Sequence, residues 1–148
     1  MSMKKRIFYS ILPILGGIVI GLIISGYIEY ESLVKPPFAP PAILFPITWS
    51  ILYILMGISY FLASEKEDKE LDKIYLLQLF LNLLWPIIFF VLKMYFAAFL
   101  WLLLLFYVVI LWYKELYQKK KISAYLQIPY LIWLCFAGYL NLGIYILN

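Results

Sequence analysis

The residues that could do chemistry in this chain are aromatic rings and primary amides. Trp49, Tyr53, Met56 and Tyr60 recur at i, i+4, i+7 and i+11, as do Gln78, Asn82, Trp85 and Phe89; Trp133, Ala137 and Asn141 recur at i, i+4 and i+8. On a helix each set shares one face. Histidine is absent, which removes the commonest general base and metal ligand and rules out a histidine-dependent triad. Cys135 is the single cysteine, so no disulfide framework or CxxC site exists within one chain.

The elements that must position these faces follow from hydrophobicity. The chain has 148 residues, 66% of them apolar and 14% charged, against about 25% charged in soluble domains. Charge-free runs cover Ile7–Ile28, Pro36–Ser64, Ile74–Leu92, Met94–Tyr113 and Ile122–Asn148, each at least 19 residues long. A span needs roughly 20 apolar residues. The expected architecture is an all-α membrane protein, one domain over residues 1–148 with a bundle of five transmembrane helices. Its spans read approximately 7–28, 44–63, 72–91, 95–117 and 123–147. The ~10-residue alternation of a β-barrel is missing. The first run exceeds a signal-peptide core and lacks an A-x-A site, so it reads as retained.

Lys and Arg divide ten to two between the ends of such a bundle, with only Lys35 and Lys93 on the side opposite the N-terminus. The positive-inside rule makes this a multi-pass protein with a cytoplasmic N-terminus. The net charge of +4 then reads as a topology signal and a contact with the lipid bilayer, with no nucleic-acid partner implied.

Residues 29–43 contain four prolines, Pro36, Pro37, Pro40 and Pro41. Proline fixes φ and lacks an N–H, so this loop is read as a stiff, partly extended lid on the outer face. Gly17-x-x-x-Gly21-x-x-x-Ser25 is a small-residue stripe, suited either to dimerisation or to packing inside the bundle. No internal repeat points to an inverted-repeat transporter.

No ionisable side chain lies deep in a span, which argues against an ion-coupled pump and against acid–base catalysis in the core. The amides Gln78, Asn82 and Asn141 must face the interior, since an unpaired one in hydrocarbon costs roughly 2–7 kcal/mol. Two readings stand. Amides beside Trp and Tyr could form a pocket for a flat, poorly soluble aromatic ligand. Alternatively the amides bridge helices while the tryptophans form interfacial belts, a role that Trp49 and Trp112, near span ends, would fit.

Four stretches resemble the TspO/translocator protein family, also called tryptophan-rich sensory proteins or peripheral-type benzodiazepine receptors. They are Leu33–Pro41 (LVKPPFAPP), Phe45–Ser59 (FPITWSILYILMGIS), Gln78–Phe90 (QLFLNLLWPIIFF) and Pro129–Asn141 (PYLIWLCFAGYLN), in the family's order and spacing. The resemblance implies a bacterial inner-membrane receptor or sensor, often a homodimer. It implies a cavity that binds porphyrins, notably protoporphyrin IX, and isoquinoline carboxamide or benzodiazepine-type drugs. Porphyrin is there a ligand; no covalent cofactor and no metal is implied. Alternative readings are light-dependent porphyrin degradation and tetrapyrrole transport. Carried over, the ligand positions are Trp49, Tyr53, Gln78, Asn82, Trp85, Phe89, Trp133, Ala137 and Asn141, with Trp85 and Trp133 the candidate photochemical partners. The lid would use Tyr30, Lys35, Pro36, Phe38, Pro40 and Pro41. The chain departs from the family at Glu29, where many members have Trp, and at Phe38, again a Trp in many members. No Lys or Arg follows Tyr139 or Tyr145, unlike the sterol motif of animal members.

Overall fold

The computed structural model describes residues 2–148 and is all-α, with no strand among them. The helices are α1 (Met3–Ile24), α2 (Leu44–Ala63), α3 (Lys69–Pro86), α4 (Tyr95–Lys119), the short α5 (Lys121–Tyr125) and α6 (Ile128–Leu147). A π-helical turn, Ile87–Val91, continues α3. Five stretches are long and apolar enough to cross a membrane: Met3–Ile24, Leu44–Ala63, Lys69–Val91, Tyr95–Lys119 and Lys121–Leu147.

The expected limits shift at four of the five spans; the fourth runs on to Lys119 rather than ending at residue 117. The first helix starts at Met3 rather than Ile7 because Ser2 caps it, accepting from the Lys5 N–H at 3.2 Å, and it ends at Ile24 rather than Ile28. Its early charges do not break it, since Lys5 and Arg6 find partners on neighbouring segments. Lys5 meets Glu67 at 3.0 Å and Asp72 at 3.2 Å, and Arg6 Nη2 donates to the Phe61 carbonyl. The third helix starts at Lys69 because Asp68 caps it, accepting from the N–H groups of Glu70 (2.9 Å) and Leu71 (3.2 Å). The fifth span is interrupted at Leu126–Gln127, just before Pro129. A proline ring clashes with the carbonyl four residues back, here that of Tyr125, which kinks or breaks a helix, and here the break falls two residues before the ring. Pro86 likewise cannot donate within α3, and the backbone after it widens until the Leu92 N–H reaches the Ile87 carbonyl at 3.0 Å.

Core and lipid faces are both apolar. Met56, Tyr60, Tyr75, Leu105, Trp112 and Ile144 are fully buried, whereas Leu22, Tyr107, Ile132 and Ile146 point outward. Trp112 is therefore no belt residue. The helix α4 continues two turns past it to Lys119, and its ring packs 5.5 Å from Tyr75. α1 and α2 approach closely at Gly57, where an added Cβ would lie 2.1 Å from the Ser10 carbonyl oxygen. Gly17 lies against Tyr53, and Gly17 and the exposed Gly21 both line the cavity described below.

The two ends of the bundle have different chemistry. At the N-terminal end Lys119 pairs with Asp68 and Lys120 with Glu65, the latter at 3.3 Å. The Lys119 ammonium, with the Leu71 N–H behind it, holds the Asp68 carboxyl below the usual carboxylate range; Lys5 does the same to Glu67. At the opposite end Lys93 meets Glu29 at 2.9 Å, and the Asn148 amide clasps the Val34 backbone, accepting at 3.1 Å and donating at 2.7 Å. The chain ends thus lie at opposite ends of the bundle, as an odd number of passes requires.

Candidate functional site

Three spans meet at Trp49. Its ring stacks on Tyr53 one turn along α2, at 5.8 Å between centroids. Trp85 of α3 lies 6.4 Å away, Trp133 of α6 6.2 Å away and perpendicular, and Tyr130 6.4 Å away. Offset and edge-to-face arrangements of this kind suit the ring quadrupoles. The i, i+4 spacing of each helix aims these rings at one level of the bundle.

The amides sit behind the rings. The Tyr53 hydroxyl donates to Asn82 Oδ1 at 2.8 Å, Asn82 Nδ2 donates to the Tyr130 hydroxyl at 2.7 Å, and that hydroxyl donates to Gln78 Oε1 at 3.0 Å. Gln78 Nε2 completes the chain on the Met56 sulfur at 3.8 Å. Asn141 accepts from Trp85 Nε1 at 3.0 Å and donates to the Tyr95 carbonyl at 2.8 Å. All three amides bond across helices, and they bond to the same rings that gather around Trp49.

A cavity of about 720 Å³ opens between α1, α2, the end of α3 and the proline loop. Trp49, Tyr53, Trp85, Phe45 and Tyr30 form its aromatic wall, and Gly17 and Gly21 form part of the facing wall on α1. No charged side chain lines it. Its hydroxyls are already spent: Tyr30 donates to the Pro40 carbonyl at 2.8 Å, Ser50 to the Pro46 carbonyl at 2.6 Å, and Tyr53 to Asn82. The space offers ring faces and aliphatic surface, with a volume inside the roughly 300–1,000 Å³ of small-ligand pockets. Its lining contains no Asp, Glu, Lys, Arg or Cys. Among the described residues no group of three or more His, Cys, Asp or Glu could hold a metal.

The sequence-derived residues divide by position. Trp49, Tyr53, Trp85 and Tyr30 line the cavity. Phe89, Ala137 and Asn141 join Trp85 around a separate void of about 10 Å³, the size of one water at most. Gln78 and Asn82 lie behind Tyr53, and Trp133 lies behind Trp49, its buried indole N–H without an acceptor in the protein. The α1 residues Ile14, Gly17, Ile18 and Gly21 and the rings Phe45 and Phe90 also line the cavity and were not singled out as ligand positions. The only signal for them was the glycine stripe, which leaves room where larger residues would fill it.

The loop closes over one end. Tyr30 is buried beneath it, its ring 5.1 Å from Phe45, and burial pushes its phenol above the ordinary value, with a smaller contribution from Glu31. Lys35 lies 4.8 Å over that ring and donates to the carbonyls of Tyr30 (3.0 Å) and Leu33 (3.1 Å). Pro36 packs against Gly143, and the Pro41 carbonyl accepts from the Leu44 N–H at 3.1 Å, starting α2. Phe38 points away from the protein.

Fold and site together define a five-span helical membrane protein with an aromatic intramembrane cavity. Residues 9–147 match the TspO/MBR family, and the chain belongs to it. It is similar to the tryptophan-rich protein TspO of Archaeoglobus fulgidus, 39% identical over 122 residues, 80% of this chain and 79% of the relative. It is 38% identical to the protein CrtK of Rhodobacter capsulatus over 133 residues, 86% and 83% of the two chains. It is 36% identical to the translocator protein of Bos taurus over 141 residues, 90% and 83%.

Proposed function

We propose that this protein is a membrane receptor or sensor that binds flat, poorly soluble aromatic molecules in the α1–α2 cavity. Its ligands are porphyrins, protoporphyrin IX above all, and drugs of the isoquinoline carboxamide or benzodiazepine type. The observation that supports this most is a large cavity walled by the faces of Trp49, Tyr53 and Trp85 and free of charged side chains. A macrocycle gains stacking and burial there, and its carboxylates stay at the cavity mouth. With no histidine in the chain, haem iron has no imidazole to bind, so metal-free porphyrin is expected to bind at least as tightly as haem.

A second reading, light-dependent porphyrin breakdown, is favoured by one feature: two indoles, Trp49 and Trp85, stand 6.4 Å apart on the cavity wall. Transport has less support, since no charged side chain marks a path through the cavity. Titration of the purified protein with protoporphyrin IX in the dark, followed by tryptophan quenching, tests binding. Saturable quenching supports it, and its absence removes it. Illumination of the same complex then separates the readings: a Soret band lost only in the presence of protein indicates breakdown.

The ten-to-two division of Lys and Arg supports a cytoplasmic N-terminus in a bacterial plasma membrane. A reporter fused after Asn148 should read as extracytoplasmic; a cytoplasmic reading overturns that orientation.

A further inference from the structure

The proline loop does not lie flat across the bundle. Its contacts descend along α6. Val34 is held by Asn148 at the helix end, Pro36 packs on Gly143, and the Pro37 carbonyl accepts from the Tyr139 hydroxyl at 2.8 Å. Nine residues separate Tyr139 from Asn148, about 13 Å of helix at 1.5 Å per residue. Helical side chains lean toward the N-terminus, so the Tyr139 hydroxyl is directed further from the helix end than its Cα. The α6 face involved is the outward one, where Ile132, Cys135, Tyr139 and Ile146 are exposed. At that depth, on that face, the surroundings of a membrane-spanning helix are hydrocarbon.

The backbone is fitted to such a place. Irregular backbone at membrane depth is tolerated where it is packed on protein, as Pro36 is on Gly143, and where few of its polar groups are left needing partners. Pro36, Pro37, Pro40 and Pro41 have no N–H to satisfy. The Ala39 N–H bonds the Pro36 carbonyl at 3.4 Å, the Pro40 carbonyl takes the Tyr30 hydroxyl, and the Ala42 carbonyl takes the Phe45 N–H at 3.2 Å. No charged residue occurs from Pro36 to Ser64. Phe38, at the bottom of the descent, has φ +68°, a left-handed conformation unusual outside glycine, and 90% of its surface is exposed. A ring held out in this way loses favourable burial in water and gains contacts among acyl chains.

We propose that Pro36–Phe38 form a wedge inserted into the lipid leaflet on the C-terminal side, with acyl chains packed around the Phe38 ring. This goes beyond the ligand reading and does not depend on it. The four prolines then serve to strip N–H donors from a backbone that meets lipid, as well as to stiffen the loop.

Site-directed spin labelling in proteoliposomes of phosphatidylcholine and phosphatidylglycerol tests it. In a Cys135→Ser background, single labels are placed by Phe38→Cys, Val34→Cys, Glu31→Cys as aqueous reference and Ile132→Cys as lipid reference. Each protein is checked by thermal unfolding against the parent. The label at 38 should collide with oxygen several-fold more, relative to a water-soluble nickel chelate, than the label at 31. It should approach the label at 132, and position 34 should read shallower than 38. A label at 38 as open to the nickel chelate as that at 31 overturns the wedge. So does shielding from both reagents, which would mean a protein contact, or the reverse order of 34 and 38.

Discussion

The Tyr53 hydroxyl donates to Asn82 Oδ1 across the α2–α3 interface at 2.8 Å, while the Tyr53 ring forms part of the cavity wall. One residue thus serves both readings that the amide stripe left open. Tyr53→Phe removes the donor and keeps the ring. Interhelical hydrogen bonds in membranes are worth about 0.6 kcal/mol on average and up to ~1.7. The expected result is a loss of stability in that range in detergent, with protoporphyrin affinity changed less than threefold. Thermal unfolding and quenching titration of one sample check both halves.

Trp112 and Trp49 should separate stability from binding. Trp112 is fully buried between helices and is not part of the cavity lining, and its removal leaves a void. Trp112→Ala should cost about 3–5 kcal/mol of stability, as large aromatic-to-alanine changes do. The protein that remains folded should bind normally. Trp49→Ala should weaken binding by about 2 kcal/mol or more, the scale of a stacking hot spot. Trp133→Ala should fall between them, since Trp133 acts through Trp49. Binding measured per folded molecule, with unfolding curves alongside, distinguishes the three.

The five spans were legible because charges occur only at their ends and between them, and length does the rest. Helical spacing put the rings on one face of each helix, while the meeting of Trp49, Trp85 and Trp133 was only what the family resemblance implied. Other features depend on what a sequence of apolar residues does not display. Trp112 reads as a belt residue until α4 is seen to continue to Lys119, where Asp68 takes the lysine. The amides read equally well as ligand donors, and only their partners in three dimensions, Tyr53, Tyr130 and Trp85, show them occupied. The α1 wall was hidden because Ile14, Ile18 and Gly21 look the same whether they meet lipid, helix or an empty space. The proline loop was visible as stiff, but its descent along α6 depends on Tyr139 and Gly143, about a hundred residues away.

The N-terminal end of the bundle should be sensitive to acid. Asp68 caps α3 and pairs with Lys119, and its carboxyl is held below the ordinary range by that ammonium and by the Leu71 N–H. A depressed folded-state value means that the stabilisation is present above the ordinary pKa of about 3.9 and is lost as pH falls below it. The melting temperature should therefore drop between roughly pH 5 and pH 3. Asp68→Asn keeps a capping acceptor and loses the charge, so its own drop over that interval should be smaller. Asp68→Ala loses the cap as well and should cost about 1 kcal/mol at neutral pH.

The cavity itself is tested most directly at Gly21. This glycine lines the space, and a Cβ built on it meets no atom within 4 Å. Gly21→Leu adds an aliphatic side chain at the cavity wall on a Cβ that meets no neighbour, and exchanging glycine for leucine in a helix does not weaken the helix. Quenching titration with protoporphyrin IX should show affinity reduced at least tenfold, at an unfolding temperature equal to or above that of the parent. Unchanged affinity in a fully folded Gly21→Leu protein would mean that the ligand binds elsewhere, and would contradict the assignment of the α1–α2 cavity as the binding site.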